Sequence, residues 1–394
     1  MNSSLHRHER KYSGKKYMRF LKYLGKCILV FISLSAYAQE NENQEIVIRN
    51  TMGFDRNELI NIPYADFSKV LAPNVKEFKI VSKKDGREYP YQLETLGEND
   101  IRNILIQVNI RANEEIQLVV KTEKADPISP KTFGRYVPER FDDFAWENDV
   151  IAFRMYGKAL EGRKDDAQGI DIWAKRTNNL IVDKWYKSED YHKDHGEGLD
   201  YYAVGQTLGA GDVAAYSNRV LYYSKHYRTY QILDNGPLRT TFKLDFEPWK
   251  VGIVNVKMSK TISIDAGSQL NKIKLDFHLD ETEELTMAAG IAKRGDGGEV
   301  LDMHKEGIFG YWEPPYGANG IMGVGLVFDK PIDSIVIEDN QFLSLFQVKP
   351  KTSVIYHAGG AWNRAGKIQS ASEWSAYLEQ FKEGLENPLE VRIN

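Results

Sequence analysis

Cysteine is almost absent from this chain. The single one, Cys27, lies in an apolar stretch near the N-terminus. The remainder therefore has no disulfide and no thiol nucleophile. Long apolar runs are missing as well: Ile28–Leu34 is too short to span a bilayer. No Gly-x-Ser-x-Gly nucleophile elbow occurs. Gly205, Gly209 and Gly211 resemble a phosphate-binding loop, but no Lys-Ser/Thr ending follows and no βαβ pattern surrounds them. That excludes a nucleotide site. No solenoid or propeller period is visible.

What is present begins with a targeting signal. Arg19, Lys22 and Lys26 form a basic region ahead of the apolar run, and Ala36-Tyr37-Ala38 is a small-x-small cleavage site. Residues 1–38 read as a signal peptide, with Met18 as an alternative start. No cysteine follows the small residues, which argues against a lipid anchor. The expected location is the periplasm or the exterior, after cleavage near Ala38. Residues 1–38 hold eight Lys/Arg and one acid, so 44 of 52 basic and 55 of 56 acidic residues remain, a net charge of about −11. Such a chain is no general nucleic-acid binder. It carries no membrane signal beyond the leader. An anionic ligand would need a local cationic cluster working against the global field.

The rest of the sequence is strand-like. Residues 39–125 contain short runs rich in Val and Ile, such as 45–49, 78–81, 104–108 and 115–120. They predict a small antiparallel β-sandwich. A two-proline stretch at 124–130 predicts a linker. From about 133 onward, strands are expected at 150–155, 168–174, 220–233, 238–246, 257–264, 271–279, 321–328, 343–348 and 353–358. Asn235-Gly236 marks a hairpin turn. Helical periodicity appears only at the end. There Trp374, Tyr377, Leu378, Phe381 and Leu385 share a face, with Ser372 as N-cap and Pro388 as stop. The fold class is all-β: residues 126–394 form a large antiparallel domain of two stacked sheets with a short C-terminal helix.

Chemistry concentrates in one loop. Tyr191 to Tyr202 hold two histidines, three acids, three tyrosines and two glycines in twelve residues. Histidine moves protons near neutral pH, and a loop this poor in core-forming residues serves a site more often than a core. His192 and His195 are candidate base and acid. With Asp200 or Glu197 they also suit a divalent metal. The alternative is a pair of solvated histidines. Arg154 sits in an apolar strand and needs a partner: a ligand carboxylate or sulfate, or an internal acid such as Asp149 or Asp171. Asp171, Trp173 and Lys175 share a strand face, an arrangement that suits a stacked sugar ring or plain packing. His304, Tyr316 and His357, the last near Gly359, Gly360 and Trp362, are weaker candidates, since a lone histidine on a strand is usually structural.

Phe133–Arg140, Trp146–Gly157, Gly169–Arg176, Tyr191–Tyr202, Gly205–Gly211 and the terminal helix together resemble a domain-of-unknown-function family of secreted proteins. Its members occur in bacterial polysaccharide-utilisation systems. The resemblance covers nearly the whole mature chain. It implies a second domain related to the galactose-mutarotase-like supersandwich. It also implies a dehydratase of ulvan breakdown, which removes water across C4–C5 of a non-reducing-end uronic acid and leaves a 4,5-unsaturated sugar. The substrate would be an anionic oligosaccharide; no cofactor is expected, with a divalent metal at the histidine pair as the alternative.

That chemistry requires a neutralised carboxylate, a base for the C5 proton and an acid for the C4 hydroxyl. Arg154 is the candidate for the carboxylate, with Lys175 or Arg135 in support. His192 or His195 would be the base, and the other histidine, Tyr201 or Tyr202 the acid. Trp173 would stack on the sugar, with Asp171 beside it. A polysaccharide lyase would use the same proton removal and expel a sugar instead. A non-catalytic carbohydrate-binding protein would keep the aromatics and have no need of the histidines.

Overall fold

The computed structural model describes residues 45–188, 190–280, 284–338 and 340–394. The expected signal peptide lies outside the described residues. Strands dominate. Among the described residues the α-helices are Tyr64–Phe67, Val182–Tyr186 and Ala371–Glu386. None is long and apolar enough to cross a membrane.

The N-terminal part has a five-stranded and a three-stranded antiparallel sheet. In the first, Glu45–Arg49 lies between Glu115–Lys121 and Glu390–Ile393, the last strand of the chain. The second is Arg56–Pro63, Asn103–Ile110 and Tyr91–Glu94. Alternating side chains from both sheets, among them Ile46, Ile48, Ile60, Ile104, Ile106 and Leu118, share one buried core.

The larger part has three sheets. Thr132–Val137, Asp143–Asn148, Ala152–Met155, Ile170–Lys175 and Gly198–Leu199 form one. Val220–Tyr222, Ala210–Ser217, Leu285–Ala292, Gln341–Val348 and Ser334–Glu338 form the next. Both share a core with a nine-stranded sheet that runs from Tyr227–Asn235 to Glu299–Met303. Phe144, Trp146, Ile172, Val213, Met287, Ile262, Ile273 and Tyr356 all belong to that core. A parallel bridge from Ile170 to Gly209 joins the two smaller sheets.

Some expected strands are divided or absent from the sequence signal. The run 220–233 breaks into Val220–Tyr222 and Tyr227–Asn235. Ala210–Ser217 and Leu285–Ala292 are buried strands built of small residues, with little β-branched signal. A Cβ on Gly290 would stand 2.7 Å from the Leu208 Cβ, and one on Gly211 2.6 Å from the Ala358 Cβ. Gly209, Gly211 and Gly290 thus permit close strand approach, whereas a Cβ on Gly205 would meet nothing within 4 Å.

The terminal helix lies on the other face of the large sheet. Trp374 and Leu378 pack there on Ile308, Trp312 and Val327. Its N-cap is Ser370 rather than Ser372: the Ser370 hydroxyl accepts from the Glu373 amide at 3.3 Å. Leu385 is exposed, so the apolar face is one turn shorter than its pattern.

Candidate active site

The site grows from the outer face of the sheet Thr132–Leu199. Strand alternation sends Phe153 and Ile172 into the core and leaves Arg154 and Asp171 on the opposite face, where they are directly paired in register. The segments 176–188 and 190–202 fold back over that face. Its short helix Val182–Tyr186 contributes Val182 and Trp185 to a small cluster with Val137, Ala145, Trp173 and Ile181.

Arg154 is buried among three carboxyl groups. Its Nε and Nη2 donate to Asp171 Oδ2 at 2.9 and 2.6 Å, and Nη2 also donates to Asp200 Oδ2 at 3.1 Å. Asp143 Oδ2 lies 3.7 Å from Nη1. One cation cannot balance three buried anions. Burial pushes Asp143 up to about 7, against the pull of Arg154. Burial and the neighbouring Asp200 do the same for Asp171, also to about 7. Burial raises Asp200 too, against Arg154 and Arg140. The arrangement stores protons near neutrality. Burial alone would lower Arg154, but Asp171, Tyr156, Asp200 and Asp143 hold it well above its usual range. Arg154 thus takes the internal partner Asp171 and leaves no free fork for a ligand.

Beside this cluster opens a cleft of about 320 Å³, lined by Glu139, Arg140, Tyr186, Ser188, Tyr191 and His192. His192 Nδ1 lies 3.0 Å from the Asp200 backbone carbonyl and 3.6 Å from its carboxylate. A carbonyl only accepts, so neutral His192 carries its proton on Nδ1 and its lone pair on Nε2. Tyr186 donates to Asp143 Oδ2 at 3.3 Å, and burial first, then Asp143, keeps its phenol protonated. The buried Tyr191 hydroxyl has no hydrogen-bond partner among the described residues. Arg140 feels Asp143 and Asp200 electrostatically but forms no ion pair among the described residues. It is the cation that the cleft leaves available.

Several expected residues lie elsewhere. Trp173 is fully enclosed, stacked at 5.6 Å on Trp185 and 5.4 Å on Tyr191, and offers no face to a sugar. Lys175 is buried with its ammonium on Glu147 at 2.7 Å and the Asn148 carbonyl at 2.6 Å. That ion pair is structural, because Glu147 also accepts the Ile181 and Val182 amides and pins the covering segment. Arg135 is engaged by Glu139 and Asp183, each at 2.6 Å. Tyr202 is buried and donates to the Gly209 carbonyl at 3.0 Å. Tyr201 packs on Tyr316 and Trp362, outside the cleft lining. His195 is exposed, 3.3 Å from the Asp190 carbonyl. His192 and His195 thus face different carbonyls, and among the described residues no trio of His, Cys, Asp or Glu is placed to hold a metal. His357 is buried against Phe381, and His304 bonds Asp302 at 2.7 Å.

The profile of a family described as a domain of unknown function, DUF4861, matches residues 48–391. The chain belongs to the DUF4861 family. This DUF4861 chain is similar to an uncharacterised protein, P7, of Formosa agariphila, with 29% identity over 382 residues, covering 91% of the chain and 95% of the relative. Among solved structures it is similar to a glycosyl hydrolase family 38 protein from Enterococcus faecalis, with a TM-score of 0.55 and 6% identity. That match covers 90% of the chain but 48% of the larger protein, so the DUF4861 chain spans about half of it. At such identity the likeness shows a shared β-rich fold.

Arg140, Tyr186, Tyr191 and Asp143 were not among the sequence candidates for the DUF4861 site. Arg140 and Tyr191 stand inside two of the characteristic blocks, Phe133–Arg140 and Tyr191–Tyr202. Nothing in the local pattern separates Arg140 from Arg135. The ion pairs of Arg135 do so only in three dimensions.

Proposed function

We propose that this protein is a carbon–oxygen lyase acting on the uronic-acid end of an anionic oligosaccharide, removing water across C4–C5. The observation that carries the reading is the cleft that brings His192 together with Tyr186, Tyr191 and Arg140, which forms no ion pair among the described residues. Arg140 would hold the uronate carboxylate and stabilise the enolate-like transition state. His192 Nε2 would take the C5 proton, with its tautomer set by the Asp200 carbonyl. As the C4–O bond breaks, the Tyr191 hydroxyl, buried and without a hydrogen-bond partner among the described residues, would turn toward the cleft to protonate the departing oxygen. Arg154 moves from substrate ligand to scaffold, since it orders Asp200 and through it His192. The mutarotase-like kinship of the large domain belongs to the same reading. The carbohydrate-active structural neighbour is consistent with a sugar substrate.

The test is incubation of the mature protein with saturated uronate-ended oligosaccharides, followed by ultraviolet absorbance and product mass. A new unsaturated product lighter by one water supports the dehydratase. Chain cleavage without water loss would point to a polysaccharide lyase, and binding without reaction to a carbohydrate-binding protein.

A further inference from the structure

A second set of aromatic and cationic groups lies outside the cleft. The segment Glu313-Pro314-Pro315-Tyr316 leads out of the strand Ile308–Trp312 and presents Tyr316 at the surface, 53% exposed. Tyr316 stacks on Tyr201 with ring centres 5.9 Å apart and planes at 27°. Trp362 lies behind Tyr201 at 6.4 Å, and its indole N–H donates to the Asn319 carbonyl at 2.8 Å, tying down the same loop. A rigid aromatic face open to solvent costs little entropy when a ligand stacks on it.

Charge surrounds this platform. Arg364 is exposed, and its Nε lies 3.1 Å from where a Cβ on Gly320 would stand, so its guanidinium sits on the Tyr316 loop. It has no hydrogen bond or ion pair among the described residues. Arg294 stands under the platform: its Nε donates to Glu313 at 3.1 Å, while its buried Nη2 has no partner. The buried Tyr201 hydroxyl has none either. Burial holds Glu313 up to about 7, against Arg294, so near neutrality it is only partly ionised. Arg294 is thus held by Glu313 and feels Asp171, whereas Arg364 has no carboxylate partner among the described residues and stands as a free guanidinium in an acidic chain.

We infer that Tyr316, Tyr201 and Arg364 form a second carbohydrate subsite, which stacks a pyranose ring on Tyr316 and pairs its sulfate or carboxylate with Arg364. The apolar C–H face of a pyranose meets an aromatic ring, and an anionic oxygen meets a free guanidinium. Tyr201 follows Asp200 directly in the chain, so one segment serves both this platform and the His192 cleft. The inference rests on the reading that the substrate is an anionic oligosaccharide.

Isothermal titration of the full mature His192→Ala protein measures binding without turnover. The probes are a saturated uronate oligosaccharide bearing sulfate esters and its desulfated counterpart. Adding Tyr316→Ala should raise Kd about tenfold for both. Adding Arg364→Ala should raise Kd about tenfold for the sulfated probe. If it does so equally for both probes, the bound anion is the carboxylate, and the subsite stands. Both substitutions are at the surface, and unchanged melting temperatures check the fold. Kd values within about twofold of the His192→Ala parent for both variants overturn the inference, as does a parent that binds neither probe. Failure of the dehydratase reading shows separately, as absence of water loss by the unsubstituted protein.

Discussion

At the scale of single residues, the site depends on how few protons and charges a buried cluster can hold. His192→Ala should lower turnover about 10²–10⁴-fold while the melting temperature stays unchanged, because the ring is exposed and covers no core. Near-normal turnover would remove His192 from the mechanism. Asp143 and Asp171 give a second prediction, about stability. Their folded affinities for protons sit near 7, above the usual 3.8 of an aspartate. Between those values the folded state binds more protons than the unfolded state, so stability falls as pH rises through that window and levels off above it. Thermal denaturation at about pH 5 and about pH 8 should show the higher melting temperature at the lower pH. Asp143→Asn should flatten the difference. The loop at 191–202 stands out by composition, and the structure brings its Tyr191 and His192 to the cleft lining while His195 and Tyr201 lie away from it. Trp173 was misleading because an aromatic flanked by charges reads the same whether its face meets a ligand or Trp185.

At the scale of elements, the terminal helix shows how close packing replaces propensity. A Cβ on Gly325 would stand 2.7 Å from Leu378 Cδ2, and one on Gly323 would meet Trp312 at 2.6 Å. Gly325→Ala should therefore cost about 1–3 kcal/mol by overpacking, in contrast to its usual benefit at a free strand position. Ser370→Ala should cost about 1 kcal/mol through the lost N-cap. Chemical denaturation measures both, and an unchanged midpoint for Gly325→Ala would mean that the helix yields. The helix was readable from its apolar spacing, as were strands rich in Val and Ile. Ala210–Ser217 and Leu285–Ala292 were not. Where Leu208 presses on Gly290, and Leu326 and Ala358 press on Gly211, no side chain fits, and the glycines and alanines that fill half of each strand carry no strand signature.

At the scale of the whole molecule, the first and last described strands hold each other. Glu390–Ile393 pairs with Glu45–Arg49, from Ile46 opposite Ile393 to Arg49 opposite Glu390. Arg56 of the first part donates to the Gly384 and Asn387 carbonyls, at 3.0 and 2.6 Å, where the terminal helix ends. A cation there satisfies carbonyls that the helix leaves open. A contact between strands so far apart in the chain has no local sequence signal, which is why the sequence places the first sandwich within residues 39–125. Its edge strand is supplied from beyond the second part. Truncation before Leu389 should therefore damage the N-terminal sheets more than the nearby helix. It would uncover Ile46 and Ile48, now fully buried, and leave Glu45–Arg49 as an open edge. Lost burial of Leu389, Val391 and Ile393 gives a penalty of roughly 3–6 kcal/mol, with aggregation on heating. Arg392→Ala is the control: its pair with Glu115 at 3.0 Å is exposed, so removing it should cost about 0.5 kcal/mol or less. Calorimetry with light scattering separates the two. Equal melting for the truncated and full chains would mean that the first sheets stand without their final strand.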